Sequence, residues 1–188
     1  DGRPFPGTEL KIVSLVGDEL PFGEEGELAM RGPQLFAGYL HRPDLNDAAF
    51  LPDGFLRTGD LARMDPDGYI KMTGRVKDLI IRGGLNISPG EVEEMLAGDA
   101  RITSIALSGM PDERLGERIC AFVVLKRGTK LSLEDLAARA EASGLAKQKW
   151  PERLEILAEL PMTPTGKVQR YALKQMITEK LIKESRVS

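Results

Sequence analysis

Apolar and polar positions change rhythm part-way along this chain. In the first part, apolar residues sit among polar ones in short runs, Glu9 to Val16 and Gly26 to Arg31, separated by glycine, proline and acidic residues. These runs predict strands of a small β-rich unit. A short helical piece is expected over Arg42 to Phe50, after which Phe55 and Leu56 lead into a tight Thr58-Gly59-Asp60 turn. Leu61 to Asp65 and Tyr69 to Thr73 predict a hairpin about Asp65-Pro66-Asp67-Gly68, where proline presets the turn and glycine accepts positive φ. The polar run Gly74-Arg75-Val76-Lys77-Asp78 follows. We place a domain boundary there, dividing the chain into 1–74 and 75–188.

Beyond that boundary helical spacing enters. Leu79 to Ile81 is a short predicted strand broken by Arg82-Gly83-Gly84. Ser88-Pro89-Gly90-Glu91 has the form of a capping box, with proline at the first helical position, and opens a helix to about Leu96. Ile102 to Ser108 and Arg118 to Leu125 are β-rich runs on either side of the turn-prone Met110 to Gly116. Ser132 caps a second helix in which Leu133, Leu136, Ala137 and Ala140 make one apolar stripe, and Gly144 sits where a helix would terminate. Leu154 to Leu157 is a further strand. A last helix follows the loop Pro161 to Lys167 and carries Leu173, Met176, Ile177 and Leu181 on one side. Mixed strands and helices without a βαβ rhythm predict an α+β domain, helices on a short mixed sheet, preceded by a β-rich piece.

Composition narrows the function classes. The 188 residues are 41% hydrophobic and 29% charged, enough for one compact core and a small second unit. The net charge of −3 comes from 26 basic and 29 acidic residues spread along the chain, so no basic tract marks a nucleic-acid or membrane surface. Cys120 is the single cysteine, lies in an apolar run, and is expected to be a core residue in a reducing cytoplasm. No apolar run reaches the roughly 18 residues of a membrane span. Asp1 is not an initiator methionine, so the chain is expected to begin mid-protein or after processing.

Candidate chemistry centres on Pro161-Met162-Thr163-Pro164-Thr165-Gly166-Lys167. Two prolines stiffen this loop while Gly166 frees the backbone beside a lysine, an arrangement suited to presenting an ammonium where carboxylate and phosphate charge accumulates. Taken alone, a solvated loop lysine is the more ordinary reading. It is not a phosphate-binding P-loop, because no Ser or Thr follows Lys167 and the upstream glycine is missing. Asp60 has the chemistry to accept hydrogen bonds from a ribose diol, or is a turn-forming aspartate. Arg75 is a ribose or phosphate contact, or a surface arginine. Gly83 and Gly84 permit close approach of a ligand, or form a bulge. His41 has no partner nearby in sequence and reads as structural. No histidine pair or cysteine cluster offers a metal site.

Jointly these pieces resemble one family. Gly26-Glu27-Leu28, Arg31-Gly32-Pro33, Gly38-Tyr39, Thr58-Gly59-Asp60, Gly74 to Asp78, Gly84, Pro89-Gly90-Glu91-Val92-Glu93 and Pro161 to Lys167 stand in the order and spacing of the adenylate-forming superfamily. That superfamily includes acyl-CoA synthetases, peptide-synthetase adenylation domains and luciferases. Asp112 to Phe122 and Leu145 to Arg153 are most similar to the medium-chain, alicyclic and aryl acid ligases.

The resemblance implies a ligase that activates a carboxylic acid with ATP, brought as its magnesium complex, and passes the acyl group to CoA. It implies that Asp60 and Arg75 hold the ribose of ATP and AMP, Lys167 assists adenylation, Lys77 is a hinge, and Gly83 and Gly84 border the pantetheine path. It further implies that 75–188 is a mobile cap. The phosphate loop and acyl pocket are expected upstream of Asp1, so the chain alone is expected to be inactive. Two alternatives remain: an aryl-acid or amino-acid adenylating enzyme that loads a carrier protein, and a catalytically silent binding module of the same shape.

Overall fold

A computed structural model describes residues 2–186. It divides into two compact units, residues 1–77 and 78–188, so the division falls between Lys77 and Asp78 and Arg75 belongs to a strand of the first unit. In that unit β1 (Glu9–Val13), β2 (Gly26–Arg31), β3 (Leu56–Met64) and β4 (Ile70–Arg75) form an antiparallel sheet in sequence order. The helix α1 (Pro43–Ala49) lies between β2 and β3 in the chain.

Predicted boundaries shift at several points: the strand expected to end at Thr73 runs on to Arg75, the one expected to end at Ser108 runs on to Asp112 through part of the expected turn, and two further shifts have a local cause. β1 stops at Val13 and not Val16 because Ser14 closes a turn: its N–H donates to the Asp18 carbonyl at 2.7 Å and its hydroxyl accepts the Asp18 N–H at 3.1 Å. Val16 is left exposed. Thr58-Gly59-Asp60, expected to turn the chain, instead lies inside β3, for reasons given below. The predicted hairpin forms about Gly68, which takes φ +78° while its N–H donates to the Asp65 carbonyl at 3.0 Å. Val13, Ala29, Leu51 and Phe55 make one small core, and Ile12, Ala62 and Ile70 another.

The second unit is built on a five-stranded mixed sheet. β5 (Ile80–Arg82) and β6 (Leu85–Ile87) form a short hairpin, and β7 (Ile102–Asp112) and β8 (Gly116–Leu125) a long one. β5 pairs antiparallel with β8 at Arg82 and Gly116, while β9 (Arg153–Ile156) runs parallel to β8 from Cys120 to Val123. β6 was not anticipated. Alternation along β8 explains the continuous apolar run Ile119 to Val124. Ile119, Ala121 and Val123 join a core with Val92 and Leu96 of α2 (Pro89–Leu96) and Leu136 and Ala140 of α3 (Leu133–Ala142). Cys120 and Phe122 point the other way, into a core with Leu173 and Ile177 of α4 (Arg170–Ser185). Both faces of the strand are therefore covered by helices.

Helix ends follow the capping signals in part. Ser132 accepts from the Asp135 N–H while the Asp135 carboxylate accepts from the Ser132 N–H, a complete capping box. At α2 the Ser88 side chain makes no cap bond, and Glu91 takes the Lys149 ammonium at 2.6 Å. Met176, expected on the buried stripe of α4, is exposed, since Leu173 and Ile177 fill that core. Among the described residues no helix is long and apolar enough to cross a membrane.

Candidate functional site

The loop carrying Lys167 is a closed miniature hairpin. Met162 and Val168 pair as an isolated antiparallel bridge, the Thr163 N–H donates to the Lys167 carbonyl at 2.7 Å, and the Gln169 N–H donates to the Pro161 carbonyl at 2.8 Å. Thr163 is its internal brace: its hydroxyl accepts the Lys167 N–H at 3.0 Å and its carbonyl accepts the Gly166 N–H at 2.9 Å. Gly166 takes φ +78°, a value for which glycine is suited. The side-chain amide of Gln169 adds a bond to the Met162 carbonyl at 2.8 Å. Backbone bonds thus hold the loop while Lys167 stays exposed, and among the described residues of its unit none pairs with its ammonium. Such a group is ready to meet an anion without first breaking an internal ion pair.

Asp60 and Arg75 are brought together in the first unit. They are register partners across β3 and β4, with Arg75 Nε 3.1 Å from Asp60 Oδ1, and both side chains remain partly exposed. What presents Asp60 is a bulge. On β2, Ala29 and Glu27 are two apart, while their partners Arg57 and Leu61 on β3 are four apart, so Thr58-Gly59-Asp60 is extruded opposite Leu28. Gly59 takes φ +74°, and its N–H donates to Glu27 Oε1 at 3.0 Å. The Thr58 hydroxyl donates to the Leu28 carbonyl at 2.7 Å and accepts the Asp60 N–H at 3.1 Å. Glu27, only 3% exposed, is neutralised by Arg57 at 2.6 Å. A buried carboxylate thus organises the kink that displays the exposed one. Glu27 sits in the Gly26-Glu27-Leu28 motif, yet nothing in spacing alone assigned it this task.

Gly83 and Gly84 are the central residues of the β5–β6 hairpin, with φ +57° and +83°, the signature of a type I′ turn. A Cβ on Gly84 would meet nothing within 4 Å, so the backbone conformation is what requires glycine there. The turn leans on β8's approach, since the Gly83 N–H donates to the Leu115 carbonyl at 2.7 Å. Arg82 forks onto Glu152 at 3.0 and 3.1 Å, and the Ile81 N–H donates to Glu117 at 2.8 Å, which fixes the hairpin to the sheet. Lys77 is exposed in the one-turn 3₁₀ segment Val76–Asp78. His41 is exposed and takes φ +55° ahead of α1. Cys120 is fully buried, and burial pushes its thiol up to about 12, which leaves it protonated and unreactive at neutral pH. Among the described residues no group of three or more His, Cys, Asp or Glu is arranged to hold a metal.

One ionic cluster went unanticipated. Arg170, the first residue of α4, is mostly buried with Glu93 of α2, and Glu93 also accepts the Leu107 N–H. Burial disfavours the Arg170 charge, but hydrogen bonding to Glu93 and the nearby Glu93 and Asp78 carboxylates outweigh it and raise its pKa. These residues lie 77 apart in the chain, beyond any local spacing rule.

Comparison with known proteins gives a consistent picture. Residues 91–167 match the family described as AMP-binding enzyme C-terminal domain, and residues 1–40 match the family described as AMP-binding enzyme. The chain is 45% identical over 185 residues to a medium-chain fatty-acid–CoA ligase of Escherichia coli, covering 98% of this chain and 33% of the relative. It is 42% identical to a salicyl-AMP ligase / salicyl-S-ArCP synthetase of Mycobacterium tuberculosis, covering 94% and 31%. Among solved structures, ATP-bound MatB from Rhodopseudomonas palustris is similar with TM-score 0.84 at 33% identity, over 93% of this chain and 35% of that one. The chain thus spans about a third of the length of the curated relatives it matches.

Proposed function

Since the chain belongs to the adenylate-forming superfamily of AMP-binding enzymes, we propose that it is the carboxy-terminal part of an acid–thiol ligase that makes an acyl-CoA from a carboxylic acid, ATP and CoA. The observation that carries this reading is the Lys167 loop, a braced hairpin holding an exposed ammonium that no described residue of its unit pairs with. On this reading a carboxylate oxygen attacks the α-phosphorus of ATP, the bond to pyrophosphate breaks, and an acyl-adenylate forms. Lys167 neutralises the oxygens on which negative charge gathers. Asp60 accepts from the ribose hydroxyls and Arg75 orients that carboxylate across the strand pair. In the second step a thiolate attacks the acyl carbonyl and AMP leaves with the bonding electron pair. The pantetheine arm would pass the exposed Gly83-Gly84 turn, which offers a path with no side chain.

A charged loop needed at the phosphate in the first step would obstruct the thiol in the second, so one domain must present two faces in turn. We assign the hinge to Lys77, in the short 3₁₀ segment where the two compact units meet in sequence. Magnesium would arrive with ATP and not on residues of this chain. The phosphate loop and acyl pocket would belong to the part of such enzymes that this chain does not match, and a cytoplasmic setting accords with a lone buried thiol. Loading of a carrier protein is the second reading, supported by the 42% identity to a salicyl-S-ArCP synthetase.

The test is Lys167→Ala in the complete enzyme. Adenylation, read as ATP–pyrophosphate exchange, should fall by about 10²- to 10³-fold, the size expected when one charge-stabilising donor is lost. Thioester formation from supplied acyl-adenylate should be nearly unchanged, and equal loss in both steps would overturn the assignment.

A further inference from the structure

Only Val168 and Gln169 separate Lys167 from the first residue of α4, so whatever anchors that residue also aims the lysine. That residue is Arg170. Its guanidinium forks onto Glu93, Nη1 to Oε1 at 2.5 Å and Nη2 to Oε2 at 2.8 Å. Nη1 also donates to the Leu107 carbonyl of β7 at 2.9 Å, and Nε lies 3.8 Å from the carboxylate of Asp78, which follows Lys77 in the chain. Glu93 is itself immobilised, because its Oε1 accepts the Leu107 N–H at 2.5 Å. Four segments, α2, β7, α4 and the start of the unit, therefore converge on one planar group whose side chain is 22% exposed.

The bland reading is a staple that docks α4. That task is already done further along the helix: Leu173 and Ile177 are buried in the core beneath it. Lys174 pairs with Glu117, Lys180 with Glu155 and Glu184 with Arg153, each at 2.6 Å. What Arg170 adds is fixation of the first turn, where the Lys167 loop ends. A two-pronged guanidinium–carboxylate contact sets orientation as well as distance, which a lysine ammonium cannot do.

We infer that Arg170, clamped by Glu93, is the positioning residue for Lys167. It acts by fixing the exit of the Lys167 hairpin so that the ammonium meets the reacting phosphate. This rests on the adenylating role proposed for Lys167.

The experiment is a double-mutant cycle in the complete enzyme with both half-reactions measured. Arg170→Lys keeps the charge and loses the fork; Glu93→Gln breaks the same clamp from α2 while keeping an acceptor for the Leu107 N–H, and serves if the first variant unfolds. Either change should lower adenylation by about 10²-fold, the scale of an ångström of misplacement. Thioester formation from supplied acyl-adenylate should stay within about twofold, and combination with Lys167→Ala should add nothing further. Parallel loss in both half-reactions, or an effect that multiplies with that of Lys167→Ala, would reduce Arg170 to a structural staple and overturn the inference. If Lys167→Ala alone leaves adenylation intact, the functional reading itself fails, a result distinct from the other two.

Discussion

Asp99 shows how a single side chain can carry a pH dependence unrelated to the site. Arg101 donates to its carboxylate from Nε and Nη2 at 3.0 and 2.8 Å and from its backbone N–H at 2.9 Å. These side-chain bonds first, and the backbone bond second, hold Asp99 down to about 2 from an ordinary 3.8. The folded-state value lies below the unfolded one. Asp99 therefore contributes stability in full above about pH 4 and loses it as the pH falls towards about 2. Asp99→Asn should leave an acid limb that is flatter than in the parent. Urea midpoints taken between about pH 6 and pH 2.5 would show this, and identical slopes would disprove it. Among the described residues of its unit Lys167 has no such partner, so its chemistry depends on what approaches it.

Among the elements, the β5–β6 hairpin makes the sharpest claim. Both of its turn residues have positive φ, but only Gly83 has a close neighbour, Leu115 Cδ2 at 3.3 Å from a would-be Cβ. Gly84→Ala should thus cost about 1–2 kcal/mol through backbone strain alone. Gly83→Asn should cost less, because Asn-Gly is a preferred type I′ pair. Equilibrium unfolding in urea distinguishes them, and a neutral Gly84→Ala would mean that the turn relaxes to another type. Since the side-chain space beside Gly84 is open, any larger loss in thioester formation than in stability would point to steric blockage of an incoming thiol.

For the whole molecule, the division into two units gives Lys77 its interest. Proline there fixes φ at about −65°, a value a 3₁₀ turn already uses, so one arrangement is tolerated and rotation is opposed. In the complete enzyme Lys77→Pro should slow thioester formation by about tenfold, a barrier rise of ~1.4 kcal/mol, with adenylation spared. The reverse pattern would remove Lys77 from the hinge. On the same reading, the purified 188-residue chain should release no pyrophosphate from ATP with any carboxylic acid. Turnover in that assay would show that it holds a complete site.

Much of this was legible in local pattern. Strand runs, the Asp65 to Gly68 turn, the Ser132 cap and the α3 stripe rest on interactions within a few residues, which composition and period report directly. The ordered motifs, through their resemblance to a family, pointed to Lys167, Asp60 and Arg75 as candidates. Sequence could not show that Thr58-Gly59-Asp60 is a bulge within a strand, since the bulge is set by register against β2 and by the buried Glu27. Nor could it show the clamp of Arg170 on Glu93, which joins helices far apart in the chain. Local energetics choose the element, and only the packed fold chooses which distant charge stands beside the loop that carries Lys167.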